Sequence, residues 1–328
     1  QIGGVSVADA IEVQGLTKVY KGHMGDKVAA VNDLSFSVRQ GEIFGFIGPN
    51  GAGKTTAIDT IIGINTADKG DITIFGKDMK KSASEIKSDI GIVPQDIAIY
   101  PDLTAYENVE FFGRLYDLKG ALLKERVEEV LKFTGLIERR KQQARKFSGG
   151  MKRRLNIACA LVHNPKLIIM DEPTVGIDPQ SRNHILESVK KMRKDGSTII
   201  YTSHYMEEVE ELCTDIAIMD HGKIIARGSK EELKAFVAVE ERTVIELDAI
   251  NYTVAERIKK VENVVDCSIA GNTITIISKK GSNNLSDLIQ SILSSDSQII
   301  SLASEKPDLE TVFLTLTGRT LRDEVAAV

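Results

Sequence analysis

Apolar and polar positions change period several times along the chain. Leu34, Phe36 and Val38 alternate with Ser35, Ser37 and Arg39, which predicts a strand with one buried face. The stretch from Ile11 to Val38 reads as short strands broken by a long loop over Lys21–Ala30. Glu42–Ile47 is a more apolar strand that runs into a glycine-rich turn, and a helical pattern follows over Ala57–Ile62. Ile72–Phe75 is a further short strand. From Leu103 to Leu161 the pattern is helical and rich in charge. Val109, Phe112 and Leu115 share one face there, and Val127, Val130 and Leu131 share another. Strands resume at Leu167–Met170, Thr198–Thr202 and Ile216–Met219, with helices over Ser181–Lys194 and Met206–Cys213. Strand–helix alternation predicts an α/β fold: a mainly parallel sheet covered on both faces. A helical insert interrupts it over about 98–164.

A break falls near Phe236. Beyond it the pattern gives strand (Arg242–Leu247), helix (Val254–Val261), two strands (Val264–Ser268, Thr273–Ser278), helix (Asn284–Leu293) and strand (Gln298–Ser301). That order, βαββαβ, is a split βαβ pattern and predicts a small α+β, ferredoxin-like domain. The expected organisation is a disordered leader over 1–10, an α/β domain over 11–235 and an accessory domain over 236–328.

Composition narrows the function. A chain of 328 residues exceeds what one core usually serves. Its 42 basic and 47 acidic residues give a formal charge of −5, which argues against a nucleic-acid partner. No run approaches the roughly 20 apolar residues that span a bilayer. Any membrane-spanning part is therefore expected on another chain. The N-terminus lacks the basic start and apolar core of a signal peptide. Cys159, Cys213 and Cys267 are isolated and not in metal-ligand spacing, so a reducing cytosol without structural disulfides is expected.

Chemistry concentrates in two motifs. Gly48-x-x-x-x-Gly53-Lys54-Thr55 lies between a predicted strand and a predicted helix, the context a phosphate loop requires. Its glycines let successive N–H groups turn inward toward phosphate oxygens, and the helix start adds a favourable dipole. The loop residues Asn50, Gly51, Ala52, Gly53, Lys54, Thr55 and Thr56 are the candidate phosphate binders. Lys54 would reach the β- and γ-phosphates, and the Thr55 hydroxyl would ligate Mg²⁺. The second motif is Leu167-Ile168-Ile169-Met170-Asp171-Glu172, a buried strand ending in two carboxylates. Strand C-termini line the ligand crevice of a parallel sheet. Asp171 would hold Mg²⁺, and Glu172 would orient or deprotonate an attacking water. Alone, Asp-Glu-Pro is equally an ordinary solvated turn; the phosphate loop upstream favours function.

With these residues in place the sequence resembles the ATP-binding cassette family over residues 11 to 230. Ser148-Gly149-Gly150 resembles the family's signature, Gln95 its glutamine loop, Gly176-Ile177-Asp178 its aspartate loop and His204 its switch histidine. Tyr20 stands in the region of the aromatic that stacks on adenine, and is equally a half-buried strand tyrosine. The resemblance implies a RecA-like phosphate-loop core with an antiparallel β subdomain and a helical subdomain. It implies ATP and Mg²⁺ as ligands, with Gln95 on the metal or water and His204 on the γ-phosphate. It also implies two cassettes head to tail, with Ser148, Gly149 and Gly150 of one meeting the γ-phosphate held by the other. Phe147 and Met151 depart from the signature's usual leucine and glutamine. The basic run Arg139, Arg140, Lys141, Arg145, Lys146, Lys152, Arg153 and Arg154 would approach phosphates or an acidic partner, or form a solvated helical face.

The tail from Pro307 to Arg319 resembles the ends of daunorubicin-resistance-type exporter cassettes; its Val312, Leu314 and Leu316 also fit a plain packing edge. The implied protein is an ATP-hydrolysing exporter subunit for drugs, lipids or polysaccharides. Its implied partners are a second such subunit, most simply an identical one, and a separate permease at the cytoplasmic face of the membrane. The alternative is a non-transport cassette ATPase acting in assembly, repair or regulation. For the accessory domain the expectation is dimerisation or stabilisation, with regulation as the alternative.

Overall fold

The structure is a computed structural model and describes residues 8–21, 27–237, 240–249, 252–294, 297–305 and 308–318. Residues 1–7 of the expected leader, Pro307 and Arg319 lie outside the described residues. Asp9 and Ala10, also assigned to the leader, instead begin the first strand, and Ala10 is fully buried. The chain divides into two compact units, one reaching Lys230 and including the chain from Leu316, the other formed by Glu231–Thr315.

The larger unit begins with two long antiparallel strands, β1 (Asp9–Lys21) and β2 (Lys27–Arg39). Pairing continues out to Tyr20–Val28 and Lys21–Lys27, so Lys21 and residues 27–30 of the expected loop are strand, and 22–26 lie outside the described residues. Then come β3 (Ile43–Ile47), α1 (Lys54–Ile61), β4 (Lys69–Ile74), β5 (Lys77–Asp78), α2 (Met79–Ser88) and β6 (Ile90–Val93). The helical region holds α3 (Ala105–Leu115), α4 (Gly120–Phe133) and α5 (Gly149–Leu161), with two short 3₁₀ turns before α5. The α/β pattern resumes with β7 (Leu167–Asp171), α6 (Pro179–Lys194), β8 (Thr198–Thr202), α7 (Met206–Leu212), β9 (Asp215–Asp220) and β10 (Lys223–Gly228).

Two sheets result. One is antiparallel in the order β2-β1-β4-β5. The other runs β10-β9-β3-β8-β7-β6, parallel from β9 to β6. Every residue of β3 and β8 is buried, as strands covered on both faces must be. The Phe36 ring of β2 stacks on Phe44 of β3 at 5.3 Å, which joins the sheets through one core. Each such buried ring contributes about 1.5–3 kcal/mol.

Helix starts follow side-chain chemistry. Thr104 and Glu107 cap α3 reciprocally, the Thr104 hydroxyl accepting from the Glu107 N–H at 3.2 Å and Glu107 from the Thr104 N–H at 2.8 Å. Asp178 caps α6 by accepting from the Ser181 N–H at 2.9 Å, with Pro179 in the first turn. The face of α3 differs from the expected one: Val109 is buried, but Leu115 is 63% exposed. The helix packs instead through Ala105, Asn108, Val109 and Gly113, because a side chain at Gly113 would collide with Leu123.

The smaller unit contains α8 (Lys230–Val237), β11 (Glu240–Leu247), α9 (Tyr252–Ile258), β12 (Val264–Ala270), β13 (Thr273–Lys279), α10 (Leu285–Leu293), β14 (Ile299–Glu305) and α11 (Leu309–Thr317). Its sheet is antiparallel throughout, in the order β12-β13-β11-β14. β13 alternates buried and half-buried residues, as a sheet covered on one face should. Ile274 and Ile276 share a core with Val254 and Ile258 of α9 and Leu288 and Ile292 of α10.

Candidate functional site

The loop between β3 and α1 is shaped by backbone crowding. A Cβ on Gly48 would lie 2.2 Å from the Met219 carbonyl oxygen, and one on Gly53 would lie 2.1 Å from that of Ala30. Gly53 also has φ 99°, so only glycine fits there without strain. As the residue capping α1, Gly53 brings no side chain, and nothing else caps the helix from a side chain. Its first-turn N–H groups have no intrahelical acceptor, an arrangement that suits an anion. Lys54 is buried, and its ammonium donates to the carbonyls of Gly48 (2.7 Å) and Pro49 (3.1 Å). Above the loop lies a cavity of about 680 Å³. Asn50, Gly51, Gly53, Lys54, Thr55 and Thr56 form one wall of it; Gln95, Glu172 and His204 also line it. Ala52 is 2% exposed and packs beneath the loop rather than lining the cavity.

The acidic pair sits at the end of β7, and one hydroxyl fixes both residues. Thr202 Oγ1 donates to Asp171 Oδ1 at 2.6 Å and accepts from the Glu172 N–H at 2.9 Å. Glu172 takes φ 47°, in the left-handed region. Burial raises the Asp171 pKa, and the Glu172 carboxylate adds to it, while the Thr202 hydrogen bond, Lys54 and His204 oppose the rise. Asp59 is raised too, by burial and then by Asp171. Both oxygens of Glu172 are engaged: Gln95 Nε2 donates to Oε2 at 3.1 Å, and His204 Nε2 lies 2.5 Å from Oε1. Gln95 and His204 thus meet on Glu172, where the family resemblance had placed Gln95 on the metal or the water and His204 on the γ-phosphate. His204 Nδ1 is buried without a hydrogen-bond partner.

The signature stands apart from this cavity; Ser148, Gly149 and Gly150 are not among its lining residues. Ser148 caps α5, its hydroxyl accepting from the Met151 N–H at 3.3 Å, and Ser148 and Gly149 are exposed. Gly150 is buried against the start of α6. A Cβ there would lie 2.1 Å from Ser181 Oγ and 3.1 Å from Asp178 Oδ2, so signature and aspartate loop of one chain meet at a glycine. Tyr20 lies outside the cavity wall. Its ring is 43% exposed near Lys18, and its hydroxyl accepts from Asn65 at 3.3 Å.

Arg153 corrects an expectation. It was grouped with basic residues on a phosphate-facing or solvated surface, yet it is 3% exposed. Its guanidinium donates to the carbonyls of Pro94 (2.6 Å) and Gln95 (2.5 Å), clamping the glutamine loop to the signature helix. Burial lowers its pKa, with Asp96 and Asp171 opposing the shift. Spacing carried a signal for this: Arg153 is three residues from buried Gly150 and four from buried Ile157, on the inward face of α5. Val175, Tyr205 and Ala30 also line the cavity, and no motif flagged them.

A parallel sheet with a glycine-bounded anion cradle after β3 and two carboxylates at the end of β7, one strand away across β8, defines a phosphate-loop nucleotide hydrolase. The comparisons specify it further. The ABC transporter family model matches residues 31–175. Linearmycin resistance ATP-binding protein LnrL of Bacillus subtilis is 45% identical, covering 95% of this chain and all of the relative. Nod factor export ATP-binding protein I of Cupriavidus pinatubonensis is 37% identical over 94% of this chain and 91% of its own. Doxorubicin resistance ATP-binding protein DrrA of Mycobacterium tuberculosis is 34% identical over 94% and 93%. Among solved structures, a dimeric ATP-binding cassette bound to ADP and Pi in a post-hydrolysis state matches with TM-score 0.61 at 27% identity, covering 67% of this chain and 98% of that one. A Clostridium perfringens protein that is part of an ABC transporter complex matches with TM-score 0.63 at 30% identity, covering 69% and 91%. The chain belongs to the ABC transporter family, as an ATP-binding subunit with ATP hydrolase activity.

Proposed function

We propose that this chain drives an exporter of drugs, lipids or other amphipathic solutes, by closing and opening a dimer of cassettes beneath a separate permease. The observation that carries this is the Glu172 carboxylate, engaged on both oxygens by Gln95 and His204 at the wall of the phosphate-loop cavity. Glu172 orients a water and takes its proton as the oxygen attacks the γ-phosphorus. The bond to the β–γ bridging oxygen breaks, and ADP and phosphate leave. Lys54 meets the β- and γ-phosphates, and His204 turns from Glu172 to the γ-phosphate when nucleotide binds. Among the described residues, no cluster of three or more His, Cys, Asp or Glu could hold a metal alone. Mg²⁺ needs no such cluster, since it is bound through one or two carboxylates together with substrate phosphates and other oxygen ligands. Thr55, Asp171 and Gln95 would hold the ion, which would neutralise charge on the transferring phosphoryl group.

Ser148, Gly149 and Gly150 complete the ATP site of the partner subunit, most simply a second copy of this chain; Asp178 lies beside them. Hydrolysis removes the γ-phosphate that both subunits hold, and the dimer reopens. No helix among the described residues is long and apolar enough to cross a membrane. In this reading the permease is a separate chain, as the family resemblance implies, and this subunit works peripherally at the cytoplasmic face. Its docking surface is the groove beside the glutamine loop, lined by Ile92, Pro94, Ala98, Phe112 and Tyr116, with Tyr100 48% exposed nearby. Arg153 ties this groove's loop to the signature helix, so nucleotide state and permease contact share one rigid link. The export direction rests on LnrL, DrrA and the Nod factor export protein, whose names give resistance or export. The smaller unit, with its interleaved βαββαβ sheet, serves as a ferredoxin-like stabilising or dimerising appendage.

Glu172→Gln tests the central role. ATP affinity is expected within about twofold of the parent, turnover at least about 100-fold lower, and a dimer to accumulate with ATP on size-exclusion chromatography. Turnover at the parent rate would remove Glu172 from the mechanism.

A further inference from the structure

Glu208 is a fully buried carboxylate outside every motif, and its surroundings are unusual. It projects from α7, a short helix behind the site. Three hydroxyls donate to its Oε2, each at 2.8 Å: Thr174, Tyr201 and Ser203. The Arg182 guanidinium Nε lies 2.6 Å from Oε1. Burial raises the Tyr201 pKa, with Glu208 adding to the rise, so that hydroxyl stays protonated and donates. A charge buried this deeply is strongly unfavourable unless paired and hydrogen-bonded, and here it is both.

The donors come from the segments that carry the hydrolytic groups. Thr174 is two residues past Glu172, in the loop that leads to Asp178. Ser203 immediately precedes His204, and Ser203 Oγ also accepts the N–H of Tyr205, the residue after His204, at 3.0 Å. Arg182 lies in the first turns of α6, and its guanidinium stacks over the Tyr205 ring at 4.5 Å. His204 is therefore held from both sides, and the loop after Glu172 is held to the same carboxylate.

We propose that Glu208 is a positioning residue for ATP hydrolysis, fixing the Glu172–Asp178 loop and the His204 turn in one relation so that Glu172 and His204 meet on the attacking water and γ-phosphate. It rests on the roles given above to Glu172 and His204. It extends them by making one buried carboxylate the point through which the loop facing the partner subunit and the phosphate-sensing turn move together. Removing a single strut loosens the catalytic geometry and leaves the phosphate cradle in place, because Thr174, Tyr201, Ser203 and Arg182 all lie outside residues 48–56.

The test uses the purified full chain with ATP. Thr174→Val removes one hydroxyl at nearly constant volume. Its kcat is expected to fall about tenfold with KM within about twofold, the split for lost transition-state positioning rather than lost binding. Thr174→Ser restores the hydroxyl and is expected to recover most of kcat. Glu208→Gln is expected to lower kcat further while binding of a fluorescent ATP analogue stays near the parent value. Three results would overturn the proposal: Thr174→Val turning over at the parent rate, a fall in melting temperature alone, or Thr174→Ser as impaired as Thr174→Val. The last would assign the effect to the methyl's packing. Glu172→Gln run in parallel separates the two levels. If it is inactive while Thr174→Val is normal, only the positioning role fails; if Glu172→Gln itself turns over normally, the underlying site assignment fails.

Discussion

The two units of this chain bury different kinds of polar group. Among its described residues the larger unit buries five charged side chains, Lys54, Arg153, Glu172, Glu208 and Asp215. The buried polar residues described in the smaller unit are Thr243, Ser278, Asn284 and Ser297, all neutral. An ion taken from water costs several kcal/mol unless its partners restore that loss. Four of the five buried charges stand at or behind the cavity, each with partners in place, and the fifth, Asp215, pairs with Arg227 at 2.6 Å. The smaller unit meets only the simpler demands of packing and hydrogen bonding. Buried charge therefore marks where the chemistry lies.

The largest effect expected from this contrast is at Lys54. Lys54→Ala removes a buried ammonium aimed into the loop, and a charge-assisted contact of about 1.5–3 kcal/mol corresponds to a 10- to 100-fold loss of ATP affinity. Isothermal titration with ATP measures it, and unchanged affinity would break the link between buried charge and nucleotide.

A second effect, on stability rather than on nucleotide affinity, is expected at acid pH. His163 stacks on Tyr116 with ring centroids 3.5 Å apart, and a ring nitrogen lies 3.0 Å from the Ile90 carbonyl oxygen. Burial pushes its pKa down from 6.5 to about 4. Below pH 6.5 the unfolded chain takes up a proton that the folded chain refuses. Stability should therefore fall as pH drops from 6.5 toward 4, by up to about 1.4 kcal/mol per pH unit, and level off below the folded value. All five histidines precede residue 231, so the smaller unit has no such group. Chemical denaturation of the parent and of His163→Phe across that window checks this; equal slopes would exclude His163 as the source.

The smallest effect is expected in the smaller unit itself. The Asn284 amide donates to the Glu262 carbonyl at 3.0 Å and to Ser278 Oγ at 3.1 Å. Asn284→Ala should cost about 1–2 kcal/mol in urea denaturation. ATP turnover should stay within about twofold of the parent. A tenfold loss of turnover would show that the two units are not separable in function.

Much of this was legible before any fold was known. A continuous apolar run of strand length bounded by a glycine-rich turn reads as a buried strand feeding a tight loop, and the phosphate loop upstream favours reading the two acids after Leu167–Met170 as the C-terminal end of a sheet strand. Local patterns of that kind gave β3, β7, β8 and β9 and the six-element order of the smaller unit. They also marked Lys54, Thr55, Asp171 and Glu172, and the family resemblance added Gln95 and His204; Lys54, Thr55, Gln95, Glu172 and His204 line one cavity, and Thr202 holds Asp171 beside Glu172. Three short strands went unseen, the two-residue β5 among them. β6 is only four residues long, and β10 alternates exposed and half-buried positions, with no buried face to give it a pattern.

Contacts between distant segments were beyond local patterns. Arg153 and Glu208 look like surface charges on amphipathic helices, because sequence spacing gives the face of a helix but not what packs on it. Only the fold brings Pro94 and Gln95 to Arg153, or Thr174, Tyr201, Ser203 and Arg182 to Glu208. Gly150 shows the same division: the sequence marked it as a phosphate binder at a helix start, and the structure adds that Ser181 leaves no room there for a side chain. The sequence by itself determined the chemistry available and the strand that carries each group. The tertiary structure decided which groups share a carboxylate, because desolvation and hydrogen-bond geometry depend on neighbours that lie far away along the chain.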